Sequence, residues 1–375
     1  MKKENIYFEN LDGLRFICFL FVFFYHAFGT ELATLYNSPI YHFIKKDIFG
    51  NGNIGVNFFF VLSGFLITYL LIEEKKINGK VSLKLFWVRR ALRIWPLYYF
   101  CVFFGFVIFP FFKAQFGQVP NETANYIYYL TFLNNFDFIN KGLPDASILG
   151  VLWSIAIEEQ FYLVWPIIVS VFPLKKLWIP FMIIILTSLI FRAINDSPLL
   201  NEYHTLSCIG DMTIGSIGAW LISISEKFKN RIQTLTKVQI LSIYILFLFI
   251  FLFRDELLYI NYGIRIFERM LVAIVIILII LEQNLSDNSL FKMSHFKRIS
   301  KLGLITYGLY CFHFIGILVI DTLVKIFNIN TNLWQLLFIV TPAALVLTII
   351  ISIISYKYYE TPFLKLKKKL SFIKS

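Results

Sequence analysis

IGVNFFFVLSGFLITYLLIE, residues 54–73, runs for nineteen residues without a charge before reaching Glu73. That is about the length a helix needs to cross the hydrocarbon of a bilayer. The stretch has no sustained period-2 alternation and is too long for a barrel strand. It reads as a transmembrane helix. Working outward, ten such segments appear, at roughly 14–33, 54–73, 92–112, 148–172, 177–194, 207–224, 238–253, 265–282, 303–325 and 334–356. The fourth and fifth are separated only by the segment around Pro173 to Lys176 and form a hairpin. Backbone polar groups in lipid must be satisfied within the segment, which helices achieve. The expected fold is an all-α bundle of about ten transmembrane helices.

Composition agrees. Of 375 residues, 58% are hydrophobic and 15% charged, with 43 Phe, 20 Tyr and 7 Trp. Soluble domains run at roughly 45–50% apolar and roughly 25% charged, and no single soluble core hides that much aromatic surface. Disorder, collagen, repeat arrays and an ordinary cytosolic enzyme are excluded. Cys18, Cys101, Cys208 and Cys311 lie in or beside apolar runs without ligand spacing, so they read as small core residues.

The net charge of +12 is distributed by loop. One alternating set of loops holds Lys2 and Lys3; Lys75 to Arg93; Lys175 and Lys176; Lys227 to Lys237; Lys292 to Lys301; and the basic tail from Lys357 to Lys374. The other set has only scattered Lys45, Lys46, Lys113, Lys141, Arg192, Arg254 and Lys325, with Arg265 and Arg269 at a helix start. Lys and Arg mark cytoplasmic loops, so both termini are expected inside. The excess is a topogenic signal facing lipid headgroups, and no nucleic-acid partner is expected. The first apolar run has no small-residue cleavage site after His26 and reads as a retained helix. The loop 113–147 carries Tyr126, Tyr128, Tyr129, Phe132 and Phe136, and is expected to be an interfacial helix or a cap over the bundle mouth.

Ionisable residues inside spans are costly and mark function. In LDGLRFICFLFVFFYHA (11–27), Arg15 and His26 are eleven residues apart, so they share one helix face about 16 Å apart. His26 reads as a catalytic base or acyl acceptor; the plain alternative is a neutral histidine satisfied by a neighbour. In KLFWVRRALRIWPLYY (84–99), Arg90 and Arg93 are helical neighbours whose forks suit phosphate, or are topogenic charge. In WSIAIEEQFYLVWP (153–166), Glu158 and Glu159 point about 100° apart, and Glu158 shares a stripe with Ser154, Tyr162 and Trp165. A buried carboxylate must pair or stay protonated. Pairing with His26 is the functional reading, and an ion pair with Arg15 or Arg192 the structural one. In SKLGLITYGLYCFHF (300–314), Tyr310 and His313 lie one turn apart and suit either substrate contact or packing. Ser63 and Gly64 form a small pair that permits close helix approach, the alternative to Ser63 as a nucleophile. His42, His204 and His295 have no partner motif. No zinc, Walker or Rossmann pattern occurs, so no metal, nucleotide hydrolysis or hydride transfer is expected.

These stretches, taken in order with FFFVLSGFLIT and the closing YKYYETPF (356–363), resemble acyltransferase family 3, the multi-pass bacterial membrane O-acyltransferases. The resemblance runs from residue 11 to 363. It implies transfer of an acyl group, commonly acetyl from acetyl-CoA, to a sugar hydroxyl in the inner (cytoplasmic) membrane, with no permanently bound cofactor. Many members carry an exported esterase-like domain. Residues 1–375 read as one transmembrane acyltransferase domain without it, which delivers the group itself or passes it to a separate partner protein or a second copy. The expected mechanism seats the phosphates of acyl-CoA near Arg90, Arg93 and Arg15, with the thioester at His26. His26 is the base or transient acyl carrier for a glycan or lipid-linked saccharide, and Glu158 orients it as in a triad. Glu159, Ser63, Tyr310 and His313 are supporting candidates. The rival reading is a transporter or flippase using mid-membrane His, Glu and Arg as a proton relay. A purely structural membrane subunit is disfavoured by charges at matching depths on three helices.

Overall fold

The computed structural model describes residues 8–29, 33–327, 329 and 332–370. Lys2, Lys3, Lys374 and residues 30–32 of the first expected span lie outside them. No strand occurs among the described residues, and each long apolar stretch forms a helix. These are α1 (Glu9–Ala27), α2 (Ile54–Asn78), α3 (Leu83–Phe103), α4 (Leu152–Val171), α5 (Trp178–Ile194), α6 (Thr205–Ile224), α7 (Lys237–Leu258), α8 (Tyr262–Leu285), α9 (Thr306–Phe327) and α10 (Thr341–Ser355). A tail helix, α11 (Thr361–Lys369), follows α10 through one π-helical turn and packs on α3.

Among the described residues, nine helical segments are long and apolar enough to cross a membrane. The expected span at 265–282 falls within α8, a 24-residue helix whose run from Met270 to Leu281 is wholly apolar but which holds too many charges to count among them. It carries Arg265, Glu268, Arg269 and Glu282, and three of these are buried against other helices. Leu241, Ile245, Leu248 and Phe249 of α7, and Ile183, Leu186 and Ile190 of α5, are exposed. Outward apolar faces of this kind have lipid as their solvent. The protein is an all-α polytopic membrane protein.

Between helices, small residues set the closest approaches, since lipid tails supply no hydrophobic drive for helices to associate. A Cβ on Gly64 would lie 1.9 Å from the Met212 carbonyl oxygen, and one on Gly215 1.9 Å from that of Val61. The Ser63–Gly64 pair does bring two helices together, through Gly64. Thr68 Oγ1 donates to Ser216 Oγ at 2.8 Å across the same seam and accepts from Trp165 Nε1 at 2.8 Å, tying α4 to α2 and α6. Gly303 performs the same service for α1: a Cβ there would meet the Asp12 carbonyl oxygen at 1.9 Å. The Lys75 ammonium caps the end of α4, donating to the carbonyls of Val169, Ser170 and Phe172, each at 2.8 Å.

The aromatic loop is a wedge. Short helices Tyr126–Leu130 and Asn134–Lys141 press against the flanks of α3 and α4. Phe132 packs on Tyr98 with ring centroids 4.4 Å apart, and its carbonyl accepts from Gln160 Nε2 at 2.8 Å. Tyr98 donates to the Tyr129 carbonyl at 2.8 Å. These contacts hold the loop beside the helices.

Candidate active site

α1, α2, α3, α4 and α9 surround an open cavity of about 120 Å³. Six of the nine residues singled out from sequence line it: Arg15, Ser63, Arg90, Arg93, Glu158 and Tyr310. The other three, His26, Glu159 and His313, do not. No residue of the aromatic loop is among its walls.

Basic groups dominate the end from which α1 and α3 start. Arg15 donates to Asp12 Oδ1 at 2.6 Å. Arg90 stacks over the rings of Phe86 and Tyr162, at 5.6 and 5.7 Å. Its Nε is buried without a hydrogen-bond partner. Neither Arg90 nor Arg93 forms an ion pair among the described residues. Half-buried Lys367 of α11 feels the charges of Arg93, Arg90, Arg15 and Arg89. Sequence reading counted Lys367 only as part of a basic tail. Its one local signal was helical spacing after YKYYETPF, and the return of α11 onto α3 was invisible. Arg90 and Arg93, neighbours without an ion-pair partner among the described residues, form a ready site for a phosphate-bearing anion, because an unpaired guanidinium half out of water gains most from such a partner.

Farther in, the cavity wall becomes a hydroxyl–carboxylate cluster. Ser63 Oγ donates to Glu158 Oε1 at 2.7 Å, and the Tyr162 hydroxyl reaches Glu158 Oε2 at 3.3 Å. The expected bond from Glu158 to His26 is absent: the carboxylate faces these hydroxyls on the cavity wall, which His26 does not line. Nor does Glu158 pair with Arg15 or Arg192, which hold Asp12 and Glu268 instead. Glu159 turns away to accept from Trp95 Nε1 at 2.8 Å, as the angular offset of adjacent helix positions requires. Ser154 and Tyr310 join their hydroxyls at 2.7 Å.

One turn beyond Tyr310 on α9 is His313, fully buried, its Nδ1 2.6 Å from the Tyr310 carbonyl. Its ring centroid is 5.3 Å from that of His26. The two histidines therefore form a pair from α1 and α9. Sequence reading listed both and joined neither to the other, since residues 26 and 313 have no local relation.

At the far end sits a charged network that sequence reading missed. Glu268 pairs with Arg254 and, at 3.3 Å, with Arg192. Asp211 accepts from Arg269 at 2.6 Å and from Asn57 Nδ2 at 2.9 Å. Arg254 also donates to Asn53 Oδ1 at 2.7 Å. The signal was available in Asp211 inside an apolar run and in the Arg265–Glu268–Arg269 spacing of α8. No group of three or more metal-ligating side chains converges among the described residues.

Residues 8–357 match the acyltransferase domain of acyltransferase family 3. The chain belongs to that family. It is 28% identical over 387 residues to peptidoglycan O-acetyltransferase OatA of Listeria monocytogenes, covering 96% of this chain and 56% of that protein. It is 26% identical over 380 residues to YrhL of Bacillus subtilis, whose name provisionally assigns it the same activity; the match covers 96% of this chain and 55% of that one. A Staphylococcus aureus protein provisionally named an O-acetyltransferase is 28% identical over 383 residues, covering 97% of this chain and 58% of that one. The chain thus spans a little over half the length of these relatives. No solved structure matches it significantly.

Proposed function

We propose that this protein is a membrane O-acetyltransferase that moves an acetyl group from acetyl-CoA, bound from the cytoplasmic side, to a hydroxyl of peptidoglycan or a related surface or lipid-linked glycan. The observation that carries the reading is the cavity itself: guanidiniums with no carboxylate partner at its mouth, and a histidine pair beyond its inner wall. Arg90, Arg93, Arg15 and Lys367 would hold the phosphates of the donor. Arg15 and His26 are eleven residues apart on α1, about 16 Å along the axis, which an extended pantetheine arm spans. The basic loops at the Arg90 end support a cytoplasmic donor mouth and a place in the cytoplasmic membrane.

In the transfer, the acceptor hydroxyl gives its proton to His26 as its oxygen attacks the thioester carbonyl. The new C–O bond forms, the C–S bond breaks, and the departing thiolate takes the proton back from His26. The surrounding apolar helices keep water away from the thioester. Glu158, bound by Ser63 and Tyr162, serves the cavity wall and shapes the path of the pantetheine arm.

Purified protein given radiolabelled acetyl-CoA and soluble peptidoglycan oligosaccharides should label the saccharide. His26→Ala should reduce that labelling at least about 10²-fold at equal abundance, the usual cost of losing a general base. Unlabelled saccharide with the unaltered protein would reject the activity, and a His26→Ala variant above about a tenth of normal would reject the base.

A further inference from the structure

His313 carries a hydrogen-bond acceptor with nowhere to go. A carbonyl can only accept, so the contact from Nδ1 to the Tyr310 oxygen at 2.6 Å requires the proton to sit on Nδ1. In a neutral imidazole that leaves Nε2 with a bare lone pair. Nε2 is buried without a hydrogen-bond partner, and the residue is 0% exposed. Four rings surround it: Phe19, Phe314, Tyr310 and His26. The phenylalanines have no polar hydrogen, and the Tyr310 hydroxyl is engaged with Ser154 and Val151. His26 is the remaining donor, and among the described residues no hydrogen bond fixes its ring.

We propose that His313 is the positioning residue for His26, its Nε2 accepting the His26 N–H so that the other His26 nitrogen presents its lone pair to the acceptor hydroxyl. This rests on the reading of His26 as the base. With centroids 5.3 Å apart the two rings are not yet bonded; catalytic hydrogen bonds commonly tighten only when substrate binds. As His26 takes the hydroxyl proton it becomes an imidazolium, and its bond to His313 becomes charge-assisted and stronger. The same proton then passes to the departing thiolate, while His313 keeps its own proton on Nδ1 throughout. An imidazole performs here the orienting task expected of Glu158, without placing a second carboxylate in a dry site. The arrangement also links the reaction to the cavity: the Tyr310 that fixes the His313 tautomer by its carbonyl lines the cavity by its side chain.

The test compares His313→Leu with His313→Gln in the purified full chain, using radiolabelled acetyl-CoA and soluble peptidoglycan oligosaccharides. Leucine removes the acceptor; glutamine can offer Oε1 near the place of Nε2. The expected result is a kcat about 10²-fold lower for leucine, with both KM values within about twofold, and recovery to at least about a tenth of normal with glutamine. Equal loss in both variants, a loss confined to KM, or a leucine variant above about half of normal overturns the proposal. If the leucine chain fails to accumulate, His313→Phe takes its place in the comparison with glutamine. His26→Ala is run alongside. An inactive His26→Ala with an active His313→Leu rejects only the positioning role, whereas an active His26→Ala rejects the base beneath it.

Discussion

Two arginine clusters sit at opposite ends of one bundle and differ in burial and in pairing. Arg192, Arg254 and Arg269 are almost wholly buried and each is ion-paired, with Glu268 and Asp211 as the buried partners. Arg90 and Arg93 are half-buried beside a cavity and form no ion pair among the described residues. A guanidinium taken fully from water must be neutralised by the protein itself, and removing one partner then strands the other. A guanidinium left half in water beside an open cavity tolerates the lack and waits for an anion. Pairing therefore separates scaffold from site more sharply than charge or depth does.

The comparison breaks most visibly at the paired end. Glu268→Gln leaves Arg192 and Arg254 facing a neutral amide and should cost about 3–5 kcal/mol of stability. The thermal midpoint and membrane abundance of the purified chain should fall, while the donor KM of the surviving fraction stays normal. If the variant melts like the parent, the network is not holding α5, α7 and α8 together.

Arg90→Ala combined with Arg93→Ala should do the reverse. Each loses a charge that the protein has not paired, so stability should change by less than about 1 kcal/mol, while the acetyl-CoA KM rises about 10²-fold. The defect should shrink with added salt, because salt screens the unaltered protein's extra charges while the double variant has fewer to screen. An unchanged donor KM would reduce these arginines to topological signals and erase the contrast.

A smaller effect is expected from the carboxylates. Glu158→Gln retains an acceptor for Ser63 but removes the charge, and should lower kcat about tenfold; Glu159→Gln, against Trp95 and off the cavity, should lower it less than about threefold. The opposite ranking in measured kcat would move the functional carboxylate to Glu159. Smallest of all, Lys367→Ala should raise the donor KM only about three- to fivefold, since a flexible ammonium at the rim contributes one screened charge. No change in the KM would assign α11 to packing alone.

Much of this was legible in the chain. Runs such as 54–73 and 334–356 dictated helices because span length and apolarity are local properties. The depth of Arg15 against His26 followed from helical rise alone. Six of the nine residues singled out line one cavity, each a polar group in an apolar run, and such groups are rare without a reason. What failed was partnership. Glu158 was assigned to His26 on depth, yet its oxygens belong to Ser63, 95 positions away, and to Tyr162, one turn away. The charges of α8, within the eighth expected span, make sense only once Arg254, Arg192 and Asp211 surround them.

Sequence by itself determined which segments are helices, how long they are, and how far along each axis a polar group sits, because rise per residue and hydrophobic run length need no neighbours. Tertiary structure alone decided how each helix is rotated and whom it meets. Glycines such as Gly64 and Gly303 let backbones touch at particular points, and those contacts fix the angle at which every other side chain on the helix emerges. A rotation of one position, about 100°, would turn Glu158 out of the cavity and Glu159 into it. Whether a charge is structural or functional depends on that angle, since it settles whether the charge faces a partner or an open cavity.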